Sequence, residues 1–412
     1  MSYSIFSLVR NATGYHQNWQ KAWRSPAPKR EYDVIIIGAG GHGLGAAYYL
    51  ARDHGITNIA VLEKGWLGGG NTARNTMTIR DNYIRSASVP FHRESMKLWR
   101  GLSRELNFNL MLHERGMITF LQSSSGASHA QRMVHTMDVF DSEYVMLSLD
   151  ELKRRVPFFR DTPRMPIIGG VYHRKIAMAR HDAVAWGYAR AADRHGVDII
   201  QNCEVTGILR QGNRVAGVDT SRGVIKAKKI GMAVAGHGSV VAAMAGIHLP
   251  VETWPLQALV STPVKPVLNE IFVIDGFQNS FIMQSDKGEL VMGSETDPYP
   301  SYAQRGSPQI TEKMIEALMD VFPLFKRMKF MRQWAGMLDI TYDNSPIISS
   351  TDLKGFYIDV AGSGGFKTTP IAAKMHADLI ANERPHPLIA EFGLNRFQSG
   401  RLLVEGGVDA NR

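Results

Sequence analysis

The chain has 412 residues, 47 Lys+Arg against 38 Asp+Glu for a net charge of +9, and one cysteine. Hydrophobic residues at 44% and charged residues at 21% exclude a disordered chain and allow a sizeable core, in two or three domains or one large α/β body. The lone Cys203 excludes an intramolecular disulfide, a Cys-based zinc ribbon and an iron–sulfur cluster; no metal site is expected, and a reducing, cytoplasmic compartment fits best.

Residues 1–30 hold no acid but carry Arg10, Lys21, Arg24, Lys29 and Arg30. A transit peptide can look like this. Phe6, Tyr15, Trp19 and Trp23 add more aromatic weight than a cleaved leader needs, so the segment reads as an arm that packs on a partner. Elsewhere Lys and Arg are scattered. The densest group, Lys153-Arg154-Arg155, follows Asp150 and Glu151 and reads as a solvated helix face. No stretch approaches the roughly 18 apolar residues of a membrane span. Neither a nucleic-acid nor a membrane partner is expected.

From Tyr32 the pattern changes. Asp33–Ile37 is a β-branched apolar run, as in a strand buried on both faces of a parallel sheet. Gly38-Ala39-Gly40-Gly41-His42-Gly43 follows, then a helix over 44–51 and a strand over 59–62 ending in Glu63. In this strand–turn–helix context the G-x-G-x-x-G spacing has a physical meaning. Gly38 permits the tight turn, Gly40 lets backbone approach a pyrophosphate, and Gly43 lets the helix pack on the sheet. The helix N-terminus offers free N–H groups to phosphate. Glu63 stands where an acid accepts from ribose hydroxyls and argues against NADP. The next stretch, 64–76, contains Gly65, Gly68, Gly69 and Gly70 with Lys64, Asn71, Arg74, Asn75 and Thr76. Backbone of this kind suits an extended cofactor such as FAD better than a nicotinamide.

Asp182–Ala192 has helical spacing with Asp182 near its start, and 197–200 and 204–209 read as strands, the latter carrying Val205 as a further cofactor contact. Turns at 211–213 and 221–223 make a β-meander through 215–218 and 224–227. A separate strand over 230–235 leads to Gly236, a second cofactor-facing turn. Residues 250–335 alternate in short strands, 271–274 and 290–292 among them, with a helix near 310–322, and read as an antiparallel substrate domain. Another buried strand at 356–360 runs into the turn 361–370, with Gly364, Gly365 and Lys367, and a helix from Ile371. Helix N–H groups there would favour negative charge on a reduced flavin.

The fold class predicted is therefore α/β. It is an FAD-binding Rossmann-like domain with a β-meander, assembled from both ends of the chain, with an inserted substrate domain of mixed antiparallel sheet. The division is 1–30 for the arm, 31–90, 166–250 and 336–412 for the FAD domain and C-terminal tail, and 91–165 with 251–335 for the substrate domain.

The stretches GAGGHGLGAAYYLA (38–51), VLEKGWLGGGNTARNT (61–76), ARHDAVAW (179–186), GVDIIQNCEVTG (196–207), PLQALVS (255–261), KGELVMG (287–293) and GSGGFKTTP (362–370) together resemble the glycine oxidase/sarcosine oxidase class of FAD amine oxidoreductases. Within it the chain is similar to the β subunits of heterotetrameric sarcosine oxidases. The resemblance implies oxidative demethylation of sarcosine to glycine on noncovalent FAD. Electrons would pass to a covalent FMN and then to O2, giving hydrogen peroxide, with the methyl carbon going to tetrahydrofolate. Partners would be α-, γ- and δ-type subunits. By the same resemblance His181 is the FMN tether. Arg180 precedes it where the family has Lys, so the charge is kept on a fork instead of a point donor. Arg80 and Lys367 match positions that engage the substrate carboxylate, and Asn75 and Thr76 are further flavin or substrate contacts. The region 334–338 carries no cysteine where one-subunit relatives bond FAD. A related amine dehydrogenase or oxidase acting on opines, proline or dimethylglycine is the alternative. A non-catalytic FAD-bearing subunit is disfavoured by the paired cations Arg80 and Lys367.

Overall fold

The computed structural model describes residues 4–15, 17, 23–140, 143–275, 279–362 and 364–405. Two eight-stranded sheets organise them. In the first, Phe356–Val360, Ile225–Met232, Glu31–Ile37, Ile59–Leu62 and Asp198–Ile200 lie side by side and parallel. Alternation along these strands serves two cores. Val34, Ile36, Ile59 and Val61 face the helices Gly41–His54, His181–Arg194 and Thr369–Asn382. Ile35, Ile37, Ala60 and Leu62 face the meander through Val215, Val218 and Ile225. Burial on both faces is why these runs read as continuously apolar.

The meander differs from expectation in one respect. The stretches 224–227 and 230–235 belong to one strand, Ile225–Met232. Its first residues pair antiparallel with Arg214–Thr220 and its last pair parallel with Phe356–Val360. Changing partners along an edge needs no break in the backbone, so the sequence shows no turn there. The helix expected from Ile371 starts at Thr369, because Pro370 in the first turn lacks only an N–H that would be unpaired anyway.

The second sheet runs Phe330–Thr341, Val251–Ser261, Leu290–Thr296, Ser280–Gln284, Ile271–Asp275, Met117–Leu121, Gly169–His173, Tyr144–Ser148. It is antiparallel except where Ile271–Asp275 pairs parallel with Met117–Leu121. Gly169–His173 and Phe330–Thr341 extend this sheet past the boundaries expected at 165 and 335. The helix Pro308–Val321 covers it through Met314, Leu318 and Val321, packed with Phe120, Phe272 and Phe322.

In the arm, the helix Ile5–Thr13 has no buried residue. Trp23 packs on the first core, and the Arg24 guanidinium pairs with Asp193 at 2.8 Å. Trp19 and Lys21 lie outside the described residues, as does Ser363 of the 361–370 turn. Among the described residues no helix is long and apolar enough to cross a membrane. Lys153 and Arg154 are exposed, as expected of a solvated face. Arg155 is exposed too, but it pairs with Glu270 at 3.0 Å and lies 3.8 Å from the Tyr172 ring.

Candidate active site

A cavity of about 1340 Å³ opens where the strand ends of the first sheet, at Ile37 and Leu62, meet Met117, Ala258 and Ile271 of the second. Most of the predicted site residues converge on it. Gly38, Gly40, Glu63, Lys64, Asn71, Arg74, Asn75, Thr76, Val205, Arg80, Gly364, Gly365 and Lys367 all contribute to its wall. Gly43 and Gly236 do not. A Cβ on Gly43 would lie 2.0 Å from the Gly38 carbonyl oxygen, so its role is to let the helix close on the strand. A Cβ on Gly236 would meet Met337 and Thr253.

The nucleotide end is built from backbone. Gly38 has φ +103°, and a Cβ there would lie 2.4 Å from the Ala233 carbonyl oxygen. Glu63 uses both carboxylate oxygens to shape the turn: one accepts from the Ala39 N–H at 3.0 Å, the other from the Gly65 N–H at 2.9 Å. The Gly41 N–H donates to Thr72 Oγ1 at 3.0 Å, which folds the 64–76 loop over the helix start. The Met337 N–H donates to Asn71 Oδ1 at 2.8 Å, and the Trp334 indole N–H donates to the Arg74 carbonyl at 2.8 Å. These bonds fasten the loop to the second sheet. A helix N-terminus, a glycine cradle and an acceptor carboxylate at the second strand tip are the groups a dinucleotide requires. Cys203, buried, lines the cavity beside Glu63, with its N–H donating to the Glu63 carbonyl at 2.8 Å.

The other end is built from side chains. Arg80 Nη1 donates to Asn82 Oδ1 at 2.8 Å. Lys367, only 7% exposed, donates from Nζ to the Gly364 carbonyl at 2.9 Å and lies 5.5 Å from the Tyr83 ring. Burial, reinforced by the Arg80 guanidinium, holds Lys367 well below the ordinary lysine range. The Arg80 guanidinium and the Lys367 amine thus disfavour charge on one another, a cost that an anion between them would offset. Asp275 lines the same cavity, where burial pushes its carboxyl up, with His129 and Arg80 pulling it back.

Sequence reasoning missed His42, Asp339, Asp359 and Glu405, all of which reach this region. His42 Nδ1 binds Asp359 Oδ2 at 2.9 Å, and Nε2 binds the Gly365 carbonyl at 2.8 Å. Burial opposes its charge, but Asp359 and the Gly365 carbonyl outweigh it and lift the imidazole to about 9. The ring therefore ties the fingerprint helix to the last strand and its turn. The histidine inside the fingerprint was a visible signal; its partners, more than 300 residues away, were not. Burial lifts the Asp339 carboxyl to about 6 even though it accepts the Ala361 N–H at 2.9 Å.

His181 and Arg180 stand outside this cavity. Arg180 caps the helix His181–Arg194, and its guanidinium Nε donates to Asp182 at 3.0 Å. His181 Nδ1 is buried without a hydrogen-bond partner, and burial holds its imidazole below the usual range. The helix packs against the Asn71–Arg74 turn that lines the cavity.

Residues 33–379 match the family described as FAD dependent oxidoreductase (DAO). Sarcosine oxidase subunit beta of Rhodobacter capsulatus is 47% identical over 98% of this chain and 97% of that protein. The subunit of the same name from Rhizobium meliloti is 45% identical over 100% of this chain and 99% of its own. Among solved structures, L-proline dehydrogenase from P. horikoshii superposes with a TM-score of 0.84 at 24% identity, covering 91% of this chain and 100% of that one; at that identity it speaks for the fold.

Proposed function

The chain belongs to the FAD dependent oxidoreductase family, and from that premise we propose that it is the catalytic β-type subunit of a hetero-oligomeric sarcosine oxidase, working in the cytoplasm with α-, γ- and δ-type subunits. The observation that carries this reading is the meeting of Arg80 and buried Lys367 at the far end of a cavity whose near end is a dinucleotide cradle. The full-length relatives named sarcosine oxidase subunit beta support the choice of substrate.

Noncovalent FAD supplies the acceptor for a hydride equivalent from the substrate's N-methyl group. The chain's own residues do the rest. Gly40 and the helix start beyond Gly41 would receive the pyrophosphate, and Glu63 would receive ribose hydroxyls. The Arg80 fork and the Lys367 ammonium take the sarcosine carboxylate, which fixes the N-methyl end toward the acceptor. Apolar walls from Met117, Ile271 and Phe281 exclude water and favour the unprotonated amine, so no protein base is assigned. In net terms sarcosine, O2 and tetrahydrofolate give glycine, hydrogen peroxide and methylenetetrahydrofolate.

His181 is the covalent anchor for FMN in this reading. A neutral imidazole with an unengaged ring nitrogen, on a helix that backs the FAD cavity, suits that role. Trp186, on the same helix and 42% exposed, offers a contact for a partner subunit. The deciding experiment is denaturation of the purified complex, followed by intact mass and peptide mapping of this chain. The expected result is the added mass of FMN on the His181 peptide together with turnover of sarcosine to glycine and peroxide. A bare chain with every flavin released would overturn the tether, and absence of sarcosine turnover would overturn the substrate.

A further inference from the structure

The last described residues run back into the site from the far end of the sequence. After the helix Asn395–Ser399, residues 401–405 form no regular element, yet their burial alternates. Leu403 and Glu405 are buried at 8% and 3% exposure, while Leu402 and Val404 are 43% and 48% exposed. This segment is stitched down from one side. The Arg396 guanidinium donates to both oxygens of buried Asp343 at 2.7 and 2.9 Å. Asp343 Oδ2 also accepts the Leu403 N–H at 3.0 Å, and the Asp343 carbonyl accepts the Glu405 N–H at 3.0 Å. Ser345 Oγ donates to the Leu403 carbonyl at 2.7 Å.

From the other side the segment grips the loop that carries Arg80. Residues 80–84 belong to no helix or strand, so no ladder of backbone bonds fixes them. Glu405 supplies what the ladder does not. Its Oε2 accepts the Ile84 N–H at 3.2 Å and its Oε1 accepts the Arg85 N–H at 3.1 Å. Arg85 Nε returns a bond to the Val404 carbonyl at 2.9 Å. The Glu405 side chain also lines the cavity itself. Two successive backbone N–H groups converging on a buried carboxylate make charge-assisted bonds, roughly twice as strong as neutral ones. A shorter acid cannot span both donors from the same backbone position, and an amide can accept with only one of its two heads.

We propose that Glu405 is a positioning residue for the substrate site: it latches residues 84–85, so that Arg80 presents its guanidinium in one pose to the substrate carboxylate. The C-terminal segment is thereby part of the substrate site without touching substrate. The proposal rests on Arg80 being the carboxylate contact.

The test uses the full FAD-loaded complex carrying Glu405→Gln, Glu405→Asp or Glu405→Ala, with Leu402→Ser, an exposed neighbour in the same segment, as control. Two quantities are read: hydrogen exchange of a peptide spanning residues 79–88, and the KM and kcat for sarcosine. The expected result is faster exchange in that peptide and a KM raised about tenfold for Glu405→Ala. The change in kcat should be smaller, bound FAD unaltered, Glu405→Gln intermediate and Leu402→Ser unchanged. A merely structural role would lower apparent kcat and flavin content together and leave KM unchanged. Unchanged exchange at 79–88, or faster exchange with an unchanged KM, overturns the proposal. If the wild-type complex does not turn over sarcosine, the substrate assignment has failed separately. The latch is then judged by exchange together with acetate binding, read as a shift in flavin absorbance. Should Glu405→Ala fail to fold, Glu405→Gln carries the same two readouts.

Discussion

Glu63 and Lys367 mark opposite ends of one cavity, and the two ends are made in different ways. Around Glu63 the working groups are backbone N–H donors and absent side chains, brought together within residues 38–72. Around Lys367 they are side chains from residues 80, 275, 367 and 405, which only the tertiary fold assembles. The first end is fixed by local geometry and tolerates almost no added atom. The second is held by charge and by loops, so its failures should be graded.

The largest effect is expected at the backbone end. Gly43→Val places a branched side chain where even a Cβ would sit 2.0 Å from the Gly38 oxygen. Helix and strand must separate, at a cost of about 3 kcal/mol, the upper end of what overpacking a core costs. Urea unfolding should show that loss, and gel filtration should return a chain with no bound flavin. A variant that keeps its FAD would mean the cradle is more plastic than the contact implies.

At the side-chain end, Arg80→Ala should leave the fold and the FAD content intact while raising the KM for sarcosine roughly 10²-fold. That is the scale of losing a bidentate charged contact in a desolvated site. Steady-state kinetics on the purified complex, alongside flavin absorbance, separate the two quantities. Loss of FAD from this variant would break the distinction between the ends.

The same contrast explains what was legible in the sequence. The strand–glycine–helix unit, the meander and the return of the chain through 356–370 are written in local periodicity and turn residues. The FAD-binding fold could therefore be read directly. Gly43 reads as a packing glycine and packs as one, whereas Gly236 reads as cofactor-facing because glycine spacing does not say whether the space it opens is filled by a ligand or by protein. Arg80 and Lys367 entered through resemblance alone, since one arginine before an irregular loop has no periodic signature. Glu405 was invisible for a plainer reason. Its partners are 320 and 321 residues away, and nothing at the chain's end distinguishes an acid that turns inward. The strand Ile225–Met232 was split in two because a change of partner along one edge leaves no mark on the alternation.

His42 joins the two ends, and its behaviour with pH tests the joint. Its folded pKa of about 9 lies above the ordinary 6.5. The stability it contributes is therefore fully present below 6.5 and lost as pH rises through about 9. Between those values the unfolding free energy should fall with a slope of up to ~1.4 kcal/mol per pH unit. Buried Asp359, Asp339 and His376 face the same ring. Burial holds His376 at about 4 and the Asp359 carboxyl stays low, while Asp339, lifted to about 6, borders the lower edge of that window, so the upper part of the slope is His42's. Denaturant titrations at several pH values on wild type and on His42→Gln isolate the contribution. The variant should lose the slope, and a variant that keeps it would place the titrating group elsewhere.

The smallest effect is expected where a side chain serves the backbone end. Lys64 follows Glu63 and lines the cavity, which makes it the obvious cation for a phosphate-bearing cofactor. Its Nζ instead lies 3.1 Å from His237 Nε2 at an exposed position, where charge is screened and side-chain entropy offsets any pairing. If the nucleotide end is held by glycine geometry and helix N–H groups, Lys64→Ala should weaken FAD binding by about fivefold or less, equivalent to ~1 kcal/mol. Fluorescence titration of the deflavinated complex with FAD measures this directly. A loss of a hundredfold or more would show that a side-chain cation does at the nucleotide end what Arg80 does at the other. The two ends of the cavity would then differ in residue type but not in kind.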